Sequence, residues 1–140
     1  MTVQMMQGYL DAEMRRHGFS CSVKNGYTTL TAGLGGKRWR MALACGEDRF
    51  TCYAAYPWPM PGERRAKVLE WLNGINAGAG FGSCFLLDMG QSCLIVFRCD
   101  VIVADEYSIA ECFENGLKYT SAAICSHWET LSEAIGRRKA

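Results

Sequence analysis

Residues 63–103 constrain the fold most. They read as an amphipathic helix followed by two strands that are apolar on both faces. The spacing predicts a helix from Glu63 to about Asn76. Ala66, Leu69, Leu72 and Ile75 form its buried stripe, and Arg64, Arg65, Lys67 and Glu70 its solvated face. Strands are expected at about Phe81–Asp88 and Cys93–Val103, separated by a turn at Met89-Gly90-Gln91-Ser92. In the second strand Cys93, Ile95, Phe97, Cys99, Val101 and Val103 fall on one face. Leu94, Val96 and Ile102 fall on the other, beside Arg98 and Asp100; in the first strand Phe85 and Leu87 oppose Cys84 and Leu86.

Strands apolar on both faces are normally covered on both. Four such side chains left in water would forgo on the order of 6–12 kcal/mol, comparable to the stability of a whole domain. The helices of one chain can all be needed on one side of the sheet. A second copy is therefore expected over the other side, as a two-fold homodimer. Leu86, Leu94, Val96, Arg98 and Ile102 are the candidate protein interface. The competing arrangement is a helix of the same chain lying across that face.

Upstream, Val3 to about His17 carries Val3, Met6, Leu10 and Met14 at helical period, with Thr2 as N-cap and Gly18 as the stop. Phe19–Tyr56 reads as a three-stranded meander with turns at Asn25-Gly26, Gly35-Gly36 and Gly46-Glu47-Asp48. An extra strand at about Ser20–Val23 is an open alternative. Trp39, Met41, Leu43 and Cys45 share an apolar face, as do Phe50, Cys52, Ala54 and Tyr56. All three prolines lie in Pro57-Trp58-Pro59-Met60-Pro61, a stiff link whose Trp58 is expected in the core. Beyond the second helix, Asn73 and Asn76 are suited to capping loop amides and carbonyls, and Gly78 and Gly80 to left-handed backbone. A last helix is expected from Asp105 or Ser108 to Gly136, with Gly116, Thr120 and Ala123 permitting close approach to another element.

At 140 residues the chain is expected to form one domain, residues 1–140, of class α+β. Its five-stranded antiparallel sheet runs in the order α-β-β-β-α-β-β-α. A net charge of +1 supplies no bulk field toward nucleic acid or an anionic membrane, and no apolar run approaches the roughly 20 residues of a membrane span. Neither is expected as a partner. The start of the chain lacks the pattern of a secretory signal, so a cytoplasmic location with reduced thiols is expected. The eight cysteines contain no CxxC pair, and His17 and His127 stand apart, so neither metal nor cofactor is expected. A tight turn at 46–48 would place Cys45 opposite Arg49, and the turn at 89–92 would place Cys93 opposite Asp88. Neighbouring cysteines are then not cross-strand partners, and all eight are expected as free thiols, with Cys45, Cys52 and Cys112 mostly buried.

Gly33-Leu34-Gly35-Gly36-Lys37 is no phosphate loop. Arg38 stands where Ser or Thr is needed, and a strand follows instead of a helix. Arg38 and Arg40 either bind an anion on the exposed face or stand as solvated strand charges. Arg137-Arg138-Lys139 reads as a solvated tail.

Trp71-Leu72-Asn73-Gly74-Ile75-Asn76, followed by Phe81-Gly82-Ser83-Cys84-Phe85, resembles the helix-to-strand signature of YbjN-type proteins, described as bacterial sensory transduction regulators. The resemblance implies the fold of type III secretion chaperones, a protein-binding role, chaperone-like or regulatory, and a homodimer. Chaperones of that fold are usually acidic, and this chain is nearly neutral. The resemblance transfers no catalytic residue, and no enzyme activity is expected. Two rivals remain: a small-ligand-binding protein, and an enzyme pairing a cysteine nucleophile with His17 or His127.

Overall fold

Two-residue turns set up the first half of the sheet. Asn25 (φ 53°) and Gly26 (φ 79°), then Gly35 (φ 59°) and Gly36 (φ 81°), supply the consecutive left-handed residues of type I′ hairpins. In the computed structural model, which describes residues 1–78, 82–90 and 92–136, these turns join β1 (Cys21–Lys24), β2 (Tyr27–Leu34) and β3 (Lys37–Cys45). β4 (Arg49–Ala55) follows. A short 3₁₀ turn (Gly62–Arg64) then leads into α2 (Arg65–Gly78), β5 (Ser83–Met89) and β6 (Ser92–Ile102). α1 (Val3–Arg16) precedes the sheet, and α3 (Ile109–Ser126) and α4 (Trp128–Ala134) close the chain. Ala79, Gly80, Phe81, Gln91 and the tail 137–140 lie outside the described residues, so the expectations for Phe81, Gly80 and Arg137-Arg138-Lys139 go with them.

The described residues form one antiparallel sheet of six strands, in the order β1-β2-β3-β4-β6-β5. The expected count was five. The sixth is β1, whose four residues pair with β2 across the Asn25-Gly26 turn. A strand this short and polar carries little hydrophobic signal of its own.

Every helix lies on one side of the sheet. Met6, Leu10 and Met14 of α1 are buried, and α1 ends in a Schellman motif: Phe19 N–H donates to Met14 O and Gly18 N–H to Arg15 O. Gly116 of α3 sits against Val101 and Phe50, and Thr120 Oγ1 lies 3.4 Å from Cys99 Sγ, so the small residues of this helix do face the sheet. Trp58 is buried in an aromatic cluster, stacked on Tyr56 and edge-on to Trp128.

Three expectations shift. The last helix breaks at His127. Tyr56 Oη donates to Ile124 O, the carbonyl that a Trp128 N–H would bond in a continuous helix, and α4 turns so that Trp128 joins the aromatic cluster. Asp105, with Ser108 in its capping box, caps the 3₁₀ turn before α3, and Ser108 makes no side-chain cap bond to α3 itself. In α2, Val68 and Leu72 are buried and Ile75 half-buried, whereas Leu69 is 40% exposed and Ala66 is in solvent. The helix lies along the sheet margin and buries a narrower stripe than one laid across the sheet.

Candidate interaction surface

Register decides which side chains share a face. Cys84 pairs with Phe97, which pairs with Ala54, which pairs with Met41, and these side chains point toward the helices. One residue along, Phe85, Val96, Ala55 and Arg40 form a row on the opposite face. Ser83, Arg98, Tyr53 and Ala42 form the next row. Among the described residues no helix covers this face.

The candidate interface residues distribute unevenly over it. Leu86 pairs with buried Ile95 and lies on the helix-covered face. Val96 is on the open face but only 3% exposed, flanked by Phe85 and Ala55. Leu94 is half-buried on the open face beside Leu87, which is 43% exposed. Ile102, 65% exposed, stands eight residues further along β6, about 27 Å away. Arg98 and Asp100, 3.6 Å apart, lie between. The contiguous apolar patch is therefore Phe85, Leu87 and Leu94 around Val96. Phe85 and Leu87 were missed, although the expected pairing of Cys93 with Asp88 holds and already places them opposite Val96 and Leu94.

The hairpin that carries this patch is fastened along its outer edge. β5 is the last strand of the sheet. Cys84 N–H donates to Asn76 Oδ1 (2.8 Å), and Asn76 Nδ2 donates to Cys84 O (2.9 Å). An exposed strand edge invites pairing with another chain, and here a helix side chain occupies it. Arg65 adds a salt bridge to Asp88 (3.0 Å), whose carboxyl is held below its usual range by that hydrogen bond first and by a contact with Cys93 second. Among the described residues of this connection Gly82 is left-handed (φ 70°), whereas Gly78 is helical. A Cβ on Gly82 would stand 2.7 Å from Arg98 O and against the Phe97 ring.

All eight cysteines are free. Cys52, Cys84, Cys93 and Cys99 are buried, but Cys45 and Cys112 are only half-buried. Cys45 faces Phe50, not Arg49, because the β3–β4 loop is one residue longer than expected and closes with Gly46 N–H donating to Arg49 O. Cys52 and Cys99 sit directly opposite each other on β4 and β6. The hydrogen bond between them, then burial, pushes the Cys52 thiol up, and the same bond holds Cys99 down. Besides that bond, thiol hydrogen bonds among the described residues run to Gln7, Thr120, Arg65 and a backbone carbonyl, and none of these partners is an imidazole. His17 lies against Glu13, Glu114 and Phe113.

A shallow cavity of about 360 Å³ opens between Met1, Met5, Val103 and Tyr107, rimmed by Glu47, Asp48, Asp105 and Glu106. Three of these carboxylates are engaged: Asp48 with Arg49, Asp105 as a cap, and Glu106 with the Tyr9 hydroxyl. No group of metal-ligating side chains is found among the described residues.

No protein-family model matches the chain, and no curated protein matches it. The likeness appears in three dimensions. YbjN from E. coli, whose crystal structure is titled that of a putative transcription regulator, superposes with a TM-score of 0.65 over 89% of this chain and 92% of that one, at 14% identity. The fold is YbjN-like. At that identity the likeness carries the arrangement of helices and strands and no residue role. The YbjN-like sheet presents one helix-covered face and one open face, and no described helix is long and apolar enough to cross a membrane.

Proposed function

We propose that this chain is a non-enzymatic, cytoplasmic binding module, regulatory or chaperone-like, that works through the open face of its YbjN-like sheet. The observation that carries the reading is the uncharged patch at the hairpin end of that face, where Leu87 is exposed and Phe85 and Leu94 are half-buried. A second copy of the chain covers it in a two-fold homodimer, and a protein client engages the module through the same face. The gain is smaller than four fully exposed side chains would give, because Val96 is already buried within the monomer. Leu87 and the exposed parts of Phe85 and Leu94 contribute roughly 2–4 kcal/mol per protomer.

Light scattering after size exclusion tests the dimer. The expected result is twice the 15.6 kDa chain mass, falling to the single-chain mass in Leu87→Asp. A single-chain mass for the unaltered protein at micromolar concentration refutes it. Small-ligand binding in the cavity beside Met5 is the second reading, favoured by the Met1, Met5, Val103 and Tyr107 side chains that line it. Thermal shift against a metabolite panel separates the two, because only a ligand of the native state raises stability.

A further inference from the structure

The net charge of +1 is the sum of two unlike surfaces. Lys24, Arg38, Arg40, Arg49 and Arg98 all project from the open face of the sheet, against a single carboxylate, Asp100. The other acidic side chains lie on the helices, in turns, or, for Asp88, on the covered face. Arg49 is answered by Asp48 and Arg98 by Asp100. Lys24, Arg38 and Arg40 form no ion pair among the described residues.

Two tyrosines lie among these cations. The rings of Tyr27 and Tyr53 meet edge-on, with centroids 6.1 Å apart, and the Arg98 guanidinium sits 5.6 Å from the Tyr53 centroid. Tyr27 is 42% exposed. The side chains between them are small: Thr29, Thr31, Ala42, Ala44 and Ala55. The surface is therefore low in relief, basic, and furnished with planar groups that can stack.

We propose that the β1–β4 part of this face binds single-stranded nucleic acid. Phosphates would be met by Lys24, Arg38 and Arg40, and bases would stack on Tyr27 and on the guanidinium–tyrosine pair. Stacking on aromatic and guanidinium planes along a basic track is how single strands are held without reading sequence. Among the described residues the strands of this face carry no Asn or Gln to read base edges, so sequence preference is weak. A duplex is disfavoured because its bases are already stacked and the face presents no helix or ribbon to a groove. An anionic membrane is disfavoured because the strands of this part carry no exposed aliphatic side chain on this face, among Tyr27, Tyr53 and the cations, to insert between lipids. The site adjoins the hairpin patch across Ala55 and Val96 but shares no side chain with it, and it does not rest on the dimer.

Fluorescence anisotropy with labelled single-stranded RNA and DNA of about 15 nucleotides, starting near 50 mM salt, tests the proposal. Binding is expected to weaken with salt at a log–log slope of about −2, from three free cations at about 0.7 each. Arg38→Ala with Arg40→Ala should bring the slope near −0.7, while Tyr27→Ala should weaken binding about tenfold at every salt concentration. These side chains are exposed, so the variants should keep the native far-ultraviolet circular dichroism and a cooperative thermal melt. No anisotropy change at about 100 µM protein overturns the proposal, since nonspecific binders usually reach that affinity. So does binding that ignores Tyr27→Ala and is matched by polyphosphate. Sedimentation with phosphatidylserine vesicles in place of oligonucleotide binding assigns the face to membranes. A change in light-scattering mass in the arginine variant assigns it to self-association; either result overturns the proposal.

Discussion

Removing the carboxamide of Asn76 tests whether one helix side chain holds the edge of the sheet. Cys84 is buried, and both of its outward backbone groups bond to Asn76. Asn76→Ala leaves an amide and a carbonyl without their partner, at roughly 1–3 kcal/mol each. Alanine returns about 0.5 kcal/mol through its better helix propensity, and water entering at the half-buried site offsets more. The net expected loss is about 2–4 kcal/mol. For a chain of this length that lowers the melting temperature by roughly 7–14 °C.

Asn76→Asp separates the two bonds. It keeps an acceptor for the Cys84 N–H but sets a carboxylate oxygen against the Cys84 carbonyl. The charged form is disfavoured, so the folded-state pKa of the new carboxyl rises above its unfolded value. Its stabilising contribution is therefore present below the unfolded pKa, near 3.9, and is lost as pH rises through the folded pKa. The Asp variant should approach the parent at pH 4 and fall below the Ala variant at pH 7. Urea melts at both pH values, with hydrogen exchange at the Cys84 amide, provide the assay. A loss under 0.5 kcal/mol for Asn76→Ala, with Cys84 exchange unchanged, would show that β5 needs no clamp.

Gly82→Ala should cost about 2–4 kcal/mol, from left-handed strain and the clash with Phe97 and the Arg98 carbonyl. Gly8→Ala, with open space at its Cβ and a helical backbone, should stabilise by up to about 1 kcal/mol in the same thermal melts. Burial holds the Cys84 thiol up at about 11, so its contribution is full below the unfolded pKa near 9 and is lost as pH rises toward 11. Melts in reducing buffer should show that decline, reduced in Cys84→Ala, and an equal decline in the variant would refute it. Thiol counting in denaturant without reductant should return eight, with Cys52 and Cys99 the slowest to react in native buffer.

Local chemistry carried much of the fold into the sequence. Asn25-Gly26 and Gly35-Gly36 name their own turn type, Thr2 and Gly18 bracket α1, and the prolines stop β4 from running on. The pairing of Asp88 with Cys93 follows from hairpin geometry alone. What stayed hidden depends on long-range neighbours. That β6 enters between β4 and β5 cannot be read from either strand, and this insertion brings Cys52 opposite Cys99 and seals Val96 between Phe85 and Ala55. The helix break at His127 depends on Tyr56, 68 residues before the Ile124 carbonyl to which it donates.

Net charge was the least informative descriptor, because it averages over surfaces that the fold separates. Period-2 alternation sends Arg38, Arg40 and Arg98 away from the core whichever strands they pair with. Their gathering on one unshielded surface requires, in addition, that every helix pack on the opposite side. That one-sided packing has a physical cause in the connections. α1 and α3 both bury their stripes against the continuous apolar surface from Leu30 to Phe97, and Asn76 ties α2 to the margin of the same layer. Among the described residues no apolar helix stripe is left over to cover the other side. The basic, aromatic face and the hairpin patch beside it thus stand open for the same reason that the core is complete.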